Sequence, residues 1–172
     1  MTEISFRDAT AGDLPEIVRL LARASGTAGM AGGQAVDLAA AGRTLTVAAL
    51  EHMHRLKTGA LIHASVMMAA ASAEDLAPGQ RQALDAYGAA IGLAFQVQDD
   101  ILDVEGDVGL LGKRTQADAA RHKPNYPSVA GMEQAKARLG ALHADAIRAL
   151  ESFGPPAEPL RWLSGWLTER RH

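Results

Sequence analysis

Apolar and polar positions along the chain fall into two textures. Near the start, Ile4 and Phe6 alternate with polar neighbours, which predicts a short strand. Thr10 and Asp13, three apart, predict a helix start, and Pro15 suits its first turn. Ile17, Val18, Leu20 and Leu21 supply the apolar face of that helix. Glycines at 26, 29, 32 and 33 then break up the chain as far as Gln34. Beyond this the helical period dominates. Residues 44–72 predict one long helix, with Leu45, Ala48, Met53, Leu56, Ala60, Ala64 and Met67 on one side. Pro78 and Gly79 separate it from a second, at 80–105, where Leu84, Tyr87, Ile91, Phe95, Gln98 and Leu102 recur at spacings of three and four. At 1.5 Å per residue that helix would run roughly 39 Å. Gly106, Gly109 and Gly112 mark a loop, and Pro124 and Pro127 another. A near-heptad stripe from Met132 to Phe153 ends at Gly154, Pro155 and Pro156, and a short last helix carries Leu160, Leu163 and Leu167 with Trp162 and Trp166. The pattern predicts an all-α fold, with at most a strand-helix segment at its N-terminus.

Composition narrows this little. A net charge of −3 leaves no basic footprint for nucleic acid. With no cysteine, disulfides and thiolate metal sites are excluded, in keeping with a reducing compartment. No leader pattern and no apolar run of spanning length is present, so the expectation is a soluble, cytoplasmic protein that engages no membrane. Abundant alanine with 4% aromatics favours helices packed closely through small side chains. Gly88 and Gly92, one turn apart, fit such a contact. His52, His54 and His63 show no metal spacing and read as surface or capping residues, and Trp162 and Trp166 read as core.

The chemistry begins at FQVQDDILD, residues 95–103. Gln96, Asp99, Asp100 and Asp103 stand at i, i+3, i+4 and i+7 and form one stripe on a helix. The arrangement is unfavourable in three ways. Asp costs roughly 0.5 kcal/mol relative to Ala in a helix. Like charges at i and i+4 repel by about 0.2–0.5 kcal/mol per pair. The C-terminal end of the macrodipole disfavours each anion by roughly 0.3–1 kcal/mol. A hard divalent cation removes all three costs. Mg²⁺ takes one or two carboxylates, keeps waters and completes its shell with phosphate oxygens. An ordinary solvated acidic helix end has the same spacing. What favours the cation is the company: Lys57 and Thr58 inside the preceding apolar pattern, Lys113 and Arg114 after the glycine loop, and Lys123 before the next. Cations beside a metal-binding acidic wall suit a diphosphate.

Five segments occur in order: GMAGGQAVDL (29–38), HRLKTGALI (54–62), IGLAFQVQDDILDVEGD (91–107), LGKR (111–114) and KPNYP (123–127). Together they resemble the short-chain trans-isoprenyl (polyprenyl) diphosphate synthase family, most closely the C-terminal half of its bacterial farnesyl diphosphate synthases. QDDILD with GKR ten residues on is similar to the family's second aspartate-rich motif. The resemblance implies an all-α isoprenoid-synthase helical bundle, here partial. It implies a prenyltransferase in isoprenoid biosynthesis, which condenses an allylic diphosphate (dimethylallyl or geranyl) with isopentenyl diphosphate, aided by Mg²⁺. By the same resemblance Asp99 would ligate metal, with Asp100 and Asp103 holding it directly or through water. Lys57 and Lys113 would bind the allylic diphosphate, with Lys123 beside them. Thr58 and Gln96 would line the carbocation site, and Gln34 and Asp37 would face the same cavity.

The departures define the rest of the expectation. The family's first motif, DDxxD with a pair of arginines, is absent, as is the upstream basic set that binds isopentenyl diphosphate. Asp8, Asp13, Glu51 and the Glu74–Asp75 pair have the wrong spacing for a substitute. The expected organisation is therefore a foreign segment at 1–22, resembling the start of a GNAT-type N-acetyltransferase, followed by the C-terminal half of a synthase domain at 23–172. Isopentenyl diphosphate would bind only with the missing half supplied. A homo-oligomer is expected, and the alternatives are a non-catalytic Mg²⁺ or diphosphate binder or an interaction module that needs a partner chain.

Overall fold

The computed structural model describes residues 8–73, 76–110 and 124–170. Every element among them is helical. Asp13 precedes α1 (Leu14–Ser25), its carboxylate accepting from the Thr10 backbone N–H at 2.7 Å and hydroxyl at 2.9 Å. The glycine-broken stretch is itself a helix, α2 (Met30–Ala40), with Gly32 and Gly33 inside it. The long helix expected over 44–72 is α3 (Val47–His54) and α4 (Ala60–Ala71), joined by one π-helical turn, Arg55–Gly59. Thr46 caps α3 by accepting from the Ala49 N–H at 3.2 Å. The 33-residue α5 (Pro78–Leu110) runs past Gly106, because a glycine weakens a helix by about 1 kcal/mol without ending it. A capping box of Asn125 and Ser128 starts α6 (Tyr126–Ala130), and α7 (Met132–Ala149) follows. Two single 3₁₀ turns, Glu151–Phe153 and Pro155–Ala157, lead to α8 (Glu158–Glu169). The strand expected at Ile4 and Phe6 lies outside the described residues.

The central element is α5. It packs against α4 and the π-turn on one side and against α7 and α8 on the other, while α1 lies on α4 and α2 on the π-turn. Its inward residues, Tyr87, Leu93, Ala94 and Val97, join Leu50, Ala135, Ala146 and Leu150 in one core. Burial pushes the Tyr87 phenol up to about 12, and its O–H donates to the Leu160 carbonyl at 2.9 Å, tying α5 to α8. The small-residue contact is real at Gly92, where an added Cβ would sit 2.8 Å from Gly59 Cα. No helix among the described residues is long and apolar enough to cross a membrane. The two tryptophans are not core. Trp162 and Trp166 are 66% and 52% exposed and stack on each other, because Ser164 and Leu167 take the inward side of α8.

A polar node ties α3, α6 and α7 together. Arg138 donates to both oxygens of Glu51, at 2.8 and 3.1 Å, the Tyr126 hydroxyl donates at 2.9 Å and Arg55 at 2.7 Å. Burial works against the Glu51 carboxylate, yet the bonds from Arg138 and Tyr126 hold it below the usual carboxyl value. A carboxyl depressed in the folded state stabilises the fold above its unfolded pKa, and that contribution disappears as pH falls through the folded pKa. Glu51→Gln should thus cost about 1–3 kcal/mol at pH 7. Thermal melts of the two proteins between pH 7 and pH 3 should converge on the acid side; a gap independent of pH would remove the charge from this explanation.

Candidate diphosphate and metal site

The π-turn is wedged between two glycines. A Cβ on Gly33 of α2 would come within 2.2 Å of the Lys57 backbone nitrogen, and one on Gly92 of α5 would meet Gly59. Only glycine permits these approaches, and they bring the backbone of residues 57–59 against both helices. A π-turn adds a residue to one helical turn, and such turns are frequent at functional sites. Here the extra residue lies in the stretch that carries Lys57 and Thr58.

Each of these side chains is held. Lys57 Nζ lies 2.6 Å from Asp37 Oδ2, and Asp37 is 1% exposed, so the pair meets the demand of a buried carboxylate for a counter-charge. Thr58 Oγ1 donates to Gln96 Oε1 at 2.8 Å, and Gln96 Nε2 donates to Asp100 Oδ1 at 3.1 Å. Asp100 Oδ2 receives the Tyr126 backbone N–H at 2.8 Å and lies 3.0 Å from His54 Nε2. The stripe on α5 is therefore two-sided. Asp100 turns inward, only 6% exposed, with its oxygens engaged by three protein groups. The Asp99 side chain is 45% exposed, and Asp103 is exposed. Both border an open cleft of about 730 Å³ that also takes in Lys136 and Arg170.

Arg170 lies across this wall. Its guanidinium carries one nitrogen 3.3 Å from Asp99 Oδ1 and stands 4.8 Å from the centre of the Phe95 ring. Its backbone carbonyl accepts from Gln98 Nε2 at 2.7 Å, and its buried Nε has no hydrogen-bond partner.

The structure thus joins Asp37, Lys57, Thr58, Gln96 and Asp100 in contact, with Asp99 and Asp103 on the outer side of the same helix. Gln34 is exposed on α2, one turn before Asp37. Lys113, Arg114 and Lys123 lie outside the described residues. Three participants were not foreseen. His54 is 3% exposed and bound to Asp100, rather than a surface or capping residue. Its spacing of three from Lys57 was the available signal. Tyr126 acts through its backbone N–H, which no side-chain pattern encodes. Arg170 belongs to the basic end ERRH (169–172), which carries no motif spacing that would tie it to the aspartates.

Among the described residues, no group of three or more His, Asp or Glu side chains is arranged to hold a metal unaided. Asp99 and Asp103, one turn apart and both hard-oxygen donors, fit a Mg²⁺ ion that keeps most of its shell for water and phosphate oxygens. They do not form a closed protein cage.

Comparison with known proteins finds relatives over most of the chain. A family model described as polyprenyl synthetase matches residues 3–151. The farnesyl diphosphate synthase of Escherichia coli (strain K12) is 49% identical over 153 residues, covering 89% of this chain and 50% of the relative. An FPP/GFPP synthase from Zymomonas mobilis, solved in its apo form, superposes with a TM-score of 0.79 at 34% identity, over 92% of this chain and 52% of that one. The geranyltransferase of Helicobacter pylori, solved with magnesium and isoprenyl diphosphate, superposes with a TM-score of 0.72 at 30% identity, over 93% and 52% of the two chains. The chain spans about half the length of the curated relatives it matches. With the fold, the ordered motifs and the family match in agreement, the chain belongs to the polyprenyl synthetase family.

Proposed function

We propose that residues 23–172 form the C-terminal half of a Mg²⁺-dependent prenyltransferase of the farnesyl diphosphate synthase type. It would join an allylic diphosphate, dimethylallyl or geranyl, to isopentenyl diphosphate. The observation that supports this reading is the docking of the Lys57–Thr58 turn onto α5 at Gly92 and Gln96, on the helix that also carries Asp99 and Asp103. Lys57, steadied by Asp37, would hold phosphate oxygens. Thr58 and Gln96 would turn oxygen toward the carbon that becomes positive as the diphosphate departs. Asp99 and Asp103 would hold the cation, whose chemistry when bound is to neutralise charge on the leaving group. Lys113 and Lys123 would add to the allylic diphosphate site, and Gln34 would flank it. Bound magnesium and isoprenyl diphosphate in the Helicobacter relative support the ligand classes.

A second reading is favoured by one observation. Leu14, Val18 and Leu21 on α1, and Met30, Val36 and Leu38 on α2, are exposed large apolar residues. Faces of this kind call for a cover. A homo-oligomer, or a partner chain bearing the first aspartate-rich motif, would supply it, and this chain would then be one wall of a site completed by the other.

Two outcomes are expected. In calorimetry, Mg²⁺ alone should bind weakly and Mg²⁺ with pyrophosphate at least tenfold more tightly, with the gain lost in Asp99→Ala. Equal affinity in the two titrations would count against the site. In a transfer assay with geranyl diphosphate, labelled isopentenyl diphosphate and Mg²⁺, this 172-residue chain alone should give no product above background. The loss of one preorganised electrostatic donor costs roughly 10²–10³ in rate, and a whole acidic wall with its arginines is absent from the sequence. Turnover that disappears on Asp99→Ala would sink that expectation.

A further inference from the structure

Gln96 and Thr58 can be bonded to each other in two ways. A hydroxyl both donates and accepts, and a side-chain amide has one end of each kind, so nothing in the pair alone decides which group donates. The neighbour decides. Asp100 carries an acceptor-only carboxylate when ionised, and its Oδ2 receives an obligate donor, the Tyr126 backbone N–H, at 2.8 Å. Its Oδ1, 3.1 Å from the Gln96 amide, then selects the Nε2 end. That leaves Oε1 toward Thr58, 2.8 Å away, and the hydroxyl must donate to it. The Thr58 proton is committed, and the lone pairs of its partly exposed oxygen are what an approaching ligand meets. The carboxylate of Asp100 cannot swing out to a cation without stranding three groups: His54, Tyr126 N–H and the Gln96 amide. Leaving a buried donor unpaired is strongly disfavoured.

We propose that Asp100 is a positioning residue rather than a metal ligand: anchored by His54 and the Tyr126 N–H, it fixes the Gln96 amide and thereby makes the Thr58 oxygen an acceptor. The inference deepens the function proposed above and rests on it for the meaning of the Thr58 oxygen, but the hydrogen-bond assignment stands on geometry alone. A consequence concerns the chain beyond α5. Tyr126 reaches Asp100 through its N–H and Glu51 through its hydroxyl, so the segment that starts α6 is pinned at both ends of one residue.

The test is a cycle of three variants. In Asp100→Asn the new amide nitrogen faces Gln96 Nε2, donor against donor, and Gln96 must turn over. In Gln96→Glu two carboxylates face each other. In the double variant the amide introduced at position 100 donates to the carboxylate introduced at position 96. That carboxylate accepts again from Thr58, and the net charge equals that of the parent. Each single change should lower the melting temperature by roughly 2–8 °C. The double variant should recover more than half of the summed loss. The Gln96 side-chain NH₂ resonances, which report its hydrogen bond to the Asp100 carboxyl group, should shift in Asp100→Asn. With Mg²⁺ and pyrophosphate, Asp100→Asn should lose less affinity than Asp99→Asn. A double variant no more stable than the sum of its parts, or unmoved Gln96 resonances, would overturn the assignment. A loss of affinity equal to or larger than that of Asp99→Asn would make Asp100 a ligand. If the parent itself fails to bind Mg²⁺ with pyrophosphate, the proposed function falls, and the melts and spectra still decide the hydrogen-bond assignment.

Discussion

Where α5 passes the π-turn, Gly92 faces Gly59 so closely that a Cβ would sit 2.8 Å from the opposing Cα, while on the far side Gly33 leaves no room for a Cβ against Lys57. This three-layer contact of α2, the π-turn and α5 governs the rest. Close backbone approach forfeits side-chain burial at the crossing itself. In return it lets short polar side chains, Thr58 and Asp37, reach partners on neighbouring helices directly. A side chain at 33 or 92 would push the layers apart by about an ångström or more, and hydrogen bonds of 2.6–3.1 Å do not survive such a displacement.

Electrostatics is then distributed by depth. The buried carboxylates, Asp37 and Asp100, are satisfied inside the protein by Lys57 in one case and by His54, Gln96 and Tyr126 in the other. The shallow ones, Asp99 and Asp103, stay at the mouth of a cleft where a cation and phosphate oxygens can reach them. Arg170 lies against Asp99 at 3.3 Å and supplies a positive charge beside the acidic wall. The neighbouring Asp99 and Asp100 thus meet different partners, because a helix turns by about 100° per residue and consecutive residues face different surroundings.

Much of this was legible in the sequence, and the limits were physical. The period of 3.6 located α5 and α7 because both bury a continuous stripe against the core. The same period hid the π-turn, since one added residue shifts the pattern by less than a turn. Glycines at 29, 32 and 33 read as breaks because propensity disfavours glycine in a helix, yet α2 forms there because tertiary contact with Lys57 demands the small residue at 33. The i, i+3, i+4, i+7 spacing placed the aspartates on one side of α5. It could not separate Asp100 from Asp99, because that distinction depends on His54 and Tyr126, 46 and 26 residues away. Trp162 and Trp166 misled for the opposite reason: large apolar residues are expected inside, and here Ser164 holds the inward position instead, with His143 Nδ1 2.8 Å from its hydroxyl.

The central claim is that one ligand is held between two elements, the Lys57–Thr58 turn and the Asp99–Asp103 face of α5. Paramagnetic broadening by Mn²⁺, read residue by residue in an isotope-labelled sample, tests it most directly. With Mn²⁺ alone the effect should be weak and confined to residues around 99 and 103. Adding pyrophosphate should strengthen it there and extend it to residues 57 and 58. Broadening equally strong at the surface acids Asp85 and Asp145, or a pattern that pyrophosphate leaves unchanged, would contradict a shared site.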